Sequence, residues 1–378
     1  MKYYLIVGEA SGDLHASNLM KALQKEDLQA DFRFWGGDKM AAVGGQLVKH
    51  YRDLAFMGII EVLKNLPTIK RNFKSCKEDI LNYEPDVLIL IDYSGFNLRM
   101  AKWAKQQGLK VFYYIAPQVW ASRSDRAKEI KQYVDQLFAT LPFEPAFYKK
   151  YGMSINFVGH PLLDVVNHYS FNSSFLSEHH INRPIIALLP GSRKQEINKV
   201  LEVLLSIVGF FKDYQFIIAA APAIPLSFYK DIIGKTASSS SIKLISGSTY
   251  DILKNAKAAI VTSGTATLET ALLNVPQVVC YKGNWLSYQI AKRFIKVPYI
   301  SLVNLIVDKE LVKELIQHDL TVAHVRQELE LLLDEERASS IKEGYHAIRM
   351  ALGEQGASER TAELMVRYLR EGDLALPS

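Results

Sequence analysis

Ser263-Gly264-Thr265-Ala266-Thr267-Leu268-Glu269 gathers three hydroxyls, a glycine and a carboxylate in seven positions. Small residues let backbone amides approach an anion, and a helix starting here adds positive potential at its N-terminus. Glu269, about one turn on, is placed to accept from both hydroxyls of a ribose. Leu189-Pro190-Gly191-Ser192-Arg193 is a second loop of this kind. Gly191 permits close approach, Ser192 is suited to capping a helix, and Arg193 to clamping a pyrophosphate. Each loop also has a plainer reading as a capped strand–turn–helix. The density of hydroxyl residues in the first favours a ligand. Asp92, in Ile91-Asp92-Tyr93-Ser94-Gly95-Phe96-Asn97, is a candidate general base and equally a candidate helix cap. Gln118-Val119-Trp120, with Arg123 and Arg126, offers an aromatic face and cations. Gly8-Glu9-Ala10-Ser11-Gly12-Asp13 looks like a nucleotide loop but lacks the Gly-x-Gly-x-x-Gly spacing, and Glu9 would repel a pyrophosphate. His160, followed by Pro161, reads as structural.

Such loops act only if strands and helices bring them to one edge. Apolar runs at residues 3–7, 32–35, 87–91, 111–114, 136–139 and 155–158 predict a first series of strands. Runs at 185–189, 215–219, 242–245, 258–261 and 277–280 predict a second. Most are continuous and rich in Val, Ile and Leu, as parallel strands buried on both faces require. Helical patterns fall between them, at residues 14–25, 98–107 and 194–211. The expectation is an α/β protein of two Rossmann-like, doubly wound parallel-sheet domains facing a cleft. Every candidate loop then follows a strand's carboxyl end, where such sheets bind ligands. The polar stretch within 160–183 marks the boundary: residues 1–165 form the first domain, 166–345 the second, and 346–378 a C-terminal helical segment.

Residues 56–77 break the alternation. Ile59, Ile60, Val62, Leu63, Leu66, Ile69 and Phe73 are interleaved with Lys64, Lys70, Arg71, Lys74 and Lys77, and no acid occurs from 64 to 77. The segment reads as an amphipathic helix kinked at Pro67, or as an apolar, basic surface for anionic lipid.

With 378 residues, 49% hydrophobic and 22% charged, the chain has enough apolar sequence for two ordinary globular domains. A net charge of +5 is too mild to predict a nucleic-acid partner. Two distant cysteines, Cys76 and Cys280, predict a reducing cytoplasm rather than a disulfide framework. Residues 3–7 are too short for a secretory segment, and no run of about 18 apolar residues predicts a transmembrane helix. Zinc-ligand spacing, a Walker loop and Gly-x-Ser-x-Gly are all missing. No metal or cofactor is expected.

Taken in order, these segments resemble the lipid-A-disaccharide synthase family of inverting glycosyltransferases. The likeness is carried by residues 8–13, Met57-Gly58-Ile59, Glu61-Val62-Leu63, Gln118-Val119-Trp120-Ala121, Leu141-Pro142-Phe143-Glu144 and Gly159-His160-Pro161-Leu162. It continues through residues 189–193 and 263–269, Tyr299-Ile300-Ser301-Leu302, Asn304-Leu305, Glu310-Leu311-Val312 and Glu314-Leu315-Ile316-Gln317. Gly95 stands where the family commonly has a second acid, and Ser122 where it frequently has a second tryptophan. The resemblance implies a GT-B fold and metal-independent transfer of diacylglucosamine from its UDP form to the 6-hydroxyl of diacylglucosamine 1-phosphate. By that likeness Asp92 is the base. Gly191, Ser192, Arg193, Ser263, Gly264, Thr265, Thr267 and Glu269 hold UDP, with Asn304 and Gln317 lining the donor side. Glu9, Ser11, Gly12, Asp13 and Trp120 fall on the acceptor side, the glycines bringing backbone close to the sugar. Ile59, Val62, Leu63, Leu66, Lys70, Arg71 and Lys74 face lipid on the cytoplasmic side of the bacterial inner membrane. The C-terminal helix either returns to the first domain or crosses to a second copy in a homodimer.

A UDP-N-acetylglucosamine 2-epimerase or a peptidoglycan glycosyltransferase is the nearest alternative. An NAD-dependent oxidoreductase needs a glycine fingerprint that the chain lacks. A non-catalytic sugar-binding protein usually carries an export signal.

Overall fold

The computed structural model describes residues 1–54, 66–235, 241–283 and 297–372. Two compact units emerge, Met1–Pro161 with Leu352–Ser378 and Leu162–Ala351. The divisions fall at 161/162 and 351/352, rather than the expected 165/166 and 345/346. A continuous helix, Glu335–Ala351, explains the second shift: the chain leaves it only at Leu352 and turns at Gly353, whose φ is +86°.

The first unit is built on seven parallel strands: β1 Lys2–Ile6, β2 Asp31–Gly36, β3 Gln46–His50, β4 Val87–Ile91, β5 Val111–Tyr114, β6 Gln136–Ala139 and β7 Asn156–Phe157. Their order is β3-β2-β1-β4-β5-β6-β7. Side chains alternate across β1. Tyr4 and Ile6 join one core with Leu88, Leu90, Cys76 and Ile80, whereas Tyr3, Leu5 and Val7 join another with Leu19, Leu23, Phe112 and Phe138. Both faces are thus buried, which is why these strands read as unbroken apolar runs. The helices used below are α1 Ala10–Glu26, α2 Asp38–Val43, α3 Leu66–Tyr83 and α4 Ser94–Gln106.

The second unit has six parallel strands: β8 Ile185–Leu189, β9 Gln215–Ala220, β10 Ile242–Ser246, β11 Ala256–Thr262, β12 Gln277–Tyr281 and β13 Glu314–Ile316. Their order, β10-β9-β8-β11-β12-β13, is the doubly wound 3-2-1-4-5-6 arrangement. Three of its helices matter here: α5 Lys194–Ser206, α6 Thr249–Lys254 and α7 Thr265–Leu272.

Three local expectations change. The first helix starts at Ala10, four residues before the predicted position, because burial of the helix face that includes Asp13, Ala16, Leu19 and Met20 overrides the weak helix preference of Ser11 and Gly12. α3 starts at Leu66, so Pro67 lies in its first turn, where a missing N–H breaks no helical bond, and does not kink its middle. The strands β3 and β13 were absent from the predicted series. The final helix α8, Ala357–Glu371, returns to the first sheet. Met365, Val366 and Tyr368 enter the α1-side core, the Tyr368 hydroxyl donates to Asn156 Oδ1 at 3.1 Å, and Arg360 donates to the Val158 carbonyl.

Candidate functional site

At the carboxyl edge of the first sheet the backbone is strained. Asp92 and Tyr93, just past β4, have φ of 47° and 46°, and Ile115, just past β5, has φ of 60°. Such left-handed conformations cost non-glycine residues about 1–3 kcal/mol each and need support from their surroundings. Asn97 supplies part of it. Fully buried, its Nδ2 donates to the carbonyls of Ile6 (3.3 Å), Ile91 (3.2 Å) and Asp92 (3.0 Å), tying the ends of β1 and β4 together. The Tyr113 hydroxyl donates to the same Asp92 carbonyl. Tyr93 stacks on Phe96 at 5.6 Å, and Phe96 on Phe73 of α3 at 4.1 Å.

This support leaves the Asp92 carboxyl beside Glu9. Burial, then the charge of Glu9 and a hydrogen bond with it, pushes the Asp92 carboxyl up to about 7. Glu9 is the N-cap residue of α1 but makes no capping bond with its side chain. Its Oε1 instead accepts from Ser11 Oγ at 2.8 Å.

The rest of the opening turn is structural. A Cβ on Gly8 would overlap the Tyr93 ring, and one on Gly12 would lie 2.7 Å from Val7 Cγ1. The missing side chains therefore make room for protein atoms, not for a sugar. Asp13 is 3% exposed and accepts from the backbone N–H groups of Gly37 (2.8 Å), Lys39 (3.1 Å) and Met40 (3.2 Å). It caps α2 from a distant part of the chain.

Trp120 does not present an open face. It is 7% exposed, packs edge-on against Phe143 at 4.8 Å, and donates from Nε1 to Glu144 Oε1 at 3.2 Å. Buried Glu144 also accepts from the N–H groups of Thr140 and Leu141 at 3.1 and 3.0 Å. Burial raises the Glu144 carboxyl to about 7 against these three donors. His160 and His15 are both buried and held neutral. Burial lowers His160 to about 3, with His15 adding to the effect, and lowers His15 to about 4.

On α3, Lys70, Arg71 and Lys74 are exposed, and Lys74 meets Glu78 one turn on at 3.8 Å. Ile59, Val62 and Leu63 lie outside the described residues, as does the side chain of Leu66.

The second sheet's carboxyl edge is arranged differently. Gly191 follows β8 with φ of 109°. Arg193, not Ser192, occupies the N-cap position of α5. Its extended backbone places the guanidinium for Nη1 to donate to Glu196 Oε1 at 2.7 Å. Ser192 is exposed. Tyr281 at the end of β12 faces this pair. Burial raises its hydroxyl, and Glu196 adds to the effect while Arg193 opposes it.

After β11, Gly264 is the N-cap of α7, and a Cβ on it would meet nothing within 4 Å among the described residues. Thr265 beside it is exposed. The other two hydroxyls of the loop are committed to backbone: Ser263 Oγ donates to the Ile300 carbonyl at 3.0 Å, and buried Thr267 Oγ1 to the Gly264 carbonyl at 2.8 Å. An anion here would meet amides and Thr265 rather than three hydroxyls. Glu269 Oε1 accepts from the Tyr250 hydroxyl of α6 at 2.7 Å. Burial raises its carboxyl, and that bond lowers it.

Asn304 and Gln317 part company. Asn304 Nδ2 donates to the Val312 carbonyl (2.8 Å) and Glu314 Oε1 (2.9 Å), while Oδ1 accepts from the N–H groups of Leu311 (2.9 Å) and Val312 (3.0 Å). An amide has two donors and two acceptor sites, so none remains for a ligand. Gln317, just past β13, has φ of 54°, and its buried Nε2 has no hydrogen-bond partner among the described residues. A buried donor left unpaired is available to a ligand.

The roles of Glu144, Tyr250, Tyr281 and Glu314 were missed from sequence. Glu144 and Glu314 fall inside segments that carry the family likeness, which was the available signal. Among the described residues no group of three or more His, Cys, Asp or Glu could hold a metal ion.

Comparison with known proteins agrees with this architecture. The chain is 39% identical over 376 residues to the lipid-A-disaccharide synthase of Syntrophus aciditrophicus, covering 98% of each chain. It is 37% identical to that of Geobacter metallireducens, covering 97% of this chain and 96% of the other. Among solved structures, a putative UDP-N-acetylglucosamine 2-epimerase from Listeria monocytogenes superposes with a TM-score of 0.70 at 13% identity, over 99% of this chain and 98% of that one. That likeness shows the GT-B fold and does not favour the epimerase reaction. The family model described as lipid-A-disaccharide synthetase matches residues 3–367, and this chain belongs to that family.

Proposed function

We propose that the chain joins UDP-2,3-diacylglucosamine to 2,3-diacylglucosamine 1-phosphate, giving the β-1,6-linked disaccharide 1-phosphate and UDP. The family match over residues 3–367 carries this reading. In a single inverting displacement, Asp92 takes the proton of the acceptor's 6-hydroxyl as that oxygen attacks the anomeric carbon. A carboxyl raised to about 7 is suited to this task near neutral pH. UDP departs with the electron pair of the broken bond. Arg193 and the backbone at Gly191, Gly264 and Thr265 receive its phosphates, Glu269 holds the ribose and Gln317 donates to the nucleotide. Glu9 and Ser11 support the acceptor side, while Asp13 and Trp120 shape it from within. Incubation with both lipids followed by mass spectrometry tests the reaction. UDP with a tetra-acyl disaccharide phosphate is the expected product, and an altered monosaccharide with no disaccharide would establish the epimerase instead.

The chain also works as a peripheral protein on an anionic membrane. Among the described residues no helix is long and apolar enough to cross one, and exposed Lys70, Arg71 and Lys74 line one stretch of α3. Each such cation adds about 1 kcal/mol near an anionic surface. Replacing all three by Glu should release the protein from phosphatidylglycerol vesicles in a flotation assay, and undiminished binding would reject the patch.

A further inference from the structure

We propose that Glu9 is a positioning residue for the transfer reaction, paired with Asp92 so that its charge sets the affinity of Asp92 for the acceptor's proton. The inference rests on the reading of Asp92 as the base. It assigns Glu9 a role distinct from contact with the acceptor.

The geometry comes from two adjacent strands. β1 and β4 pair in parallel with Ile6 opposite Leu90. Asp92 lies one residue beyond β4 and Glu9 three beyond β1, so both carboxyls emerge at the same edge. Three devices keep them there. Asn97 bonds the carbonyls of Ile6, Ile91 and Asp92 at once. Tyr93 fills the space that a side chain on Gly8 would need, fixing the turn that leads into Glu9. Asp92 and Tyr93 are held left-handed in succession, a conformation that carboxylate and aromatic residues do not adopt without cause. Glu9 meanwhile caps nothing, although it occupies an N-cap position. Among the described residues, its carboxyl also accepts from Ser11 Oγ at 2.8 Å.

Two neighbouring carboxyls cannot both ionise as easily as one, so the pair titrates as a unit. Burial and the neighbouring Glu9 raise the Asp92 carboxyl, so its ionisation falls near neutrality. In the reaction the O–H bond of the 6-hydroxyl breaks and its proton passes to the doubly ionised pair. The oxygen's electrons form the bond to the anomeric carbon, and the old glycosidic electron pair leaves on UDP. The proton then rests on Asp92 until solvent removes it. Among the described residues, the titratable groups that face Asp92 are Glu9 from the β1–α1 turn, Tyr113 from β5 and its chain neighbour Tyr93. Both tyrosine hydroxyls are raised by burial and stay neutral in the working range.

The experiment is the pH profile of kcat/KM for the full chain with both lipid substrates. In the wild type, activity should rise with pH through an acid limb near neutrality. Glu9→Gln removes the charge but keeps the shape, so its acid limb should move down by about one pH unit or more. KM for each substrate should change less than about threefold, well short of the tenfold that corresponds to about 1.4 kcal/mol. Glu9→Ala removes the same charge together with the side chain, so its limb should move in the same direction. An unmoved limb in both variants, whatever their rate, overturns the pairing and leaves Glu9 a structural residue. Should Glu9→Gln fail to fold, the downward shift in Glu9→Ala decides the matter alone. The base reading fails separately, if Asp92→Asn keeps its rate within about tenfold of wild type, since a lost general base costs more than that.

Discussion

The carboxyl edges of the two sheets solve opposite problems with the same topology. In the first, the left-handed positions after the central strands β4 and β5 belong to Asp92, Tyr93 and Ile115. In the second, the positive-φ positions belong to Gly191, Gly247 and Gly264, with Gln317 as the exception. A bulky residue in that conformation costs energy but aims a side chain. A glycine costs little there and bares backbone amides. The first edge accordingly carries carboxyls suited to moving a proton. The second carries amides, one exposed threonine and one arginine suited to holding an anion.

The contrast is most easily broken at Asp92. Asp92→Asn should lower kcat by roughly 10²–10⁴ and leave UDP affinity nearly unchanged. Comparable losses in both would mean that the first edge also holds the nucleotide. Arg193→Ala should do the reverse, weakening UDP binding by roughly 10–100-fold in calorimetry, the weight of a charge-assisted contact. Unchanged affinity would remove Arg193 from the second edge. A smaller effect concerns stability. The folded protein raises the Asp92 carboxyl to about 7, so ionising it destabilises the fold, and that loss accumulates as pH rises from about 4 through 7. Asp92→Asn should therefore raise Tm by about 2–4 °C at pH 8 and by less at pH 5. A gain independent of pH would place its cause outside this carboxyl. Gly191→Ala should show the smallest effect, about 1 kcal/mol of stability with a modest rise in donor KM. At φ of 109° its Cβ would also lie 3.2 Å from Glu196 Oε2. Full stability in that variant would mean that glycine is not required at this turn.

The sequence made the middle of each sheet plain and its margins obscure. Residues 87–91, 111–114, 136–139 and 185–189 were read with the bounds that the strands have, because burial on both faces leaves only apolar residues. β3 and β13 escaped because they are edge strands. One is half exposed, and the other is three residues long, with a glutamate that accepts four hydrogen bonds. The site shows the same division. Asp92 and Arg193 were visible as residue types at strand ends. Asn304 and Asp13 looked identical in kind to ligand-binding groups, and only their partners show them to be fasteners. A residue type states what a side chain is able to bind. The fold decides whether that capacity is already spent.

The return of α8 to the first sheet has a consequence for synthesis. Residues 1–161 emerge from the ribosome long before residues 352–378, with Leu162–Ala351 made in between. At about 5–20 residues per second, the face that Met365, Val366 and Tyr368 finally cover waits roughly 10–40 s for its lid. During that interval Phe112 and Phe138 belong to an unfinished surface on a nascent chain. A truncation that removes only the last helix would keep every candidate site residue and strand the protein in this half-made state.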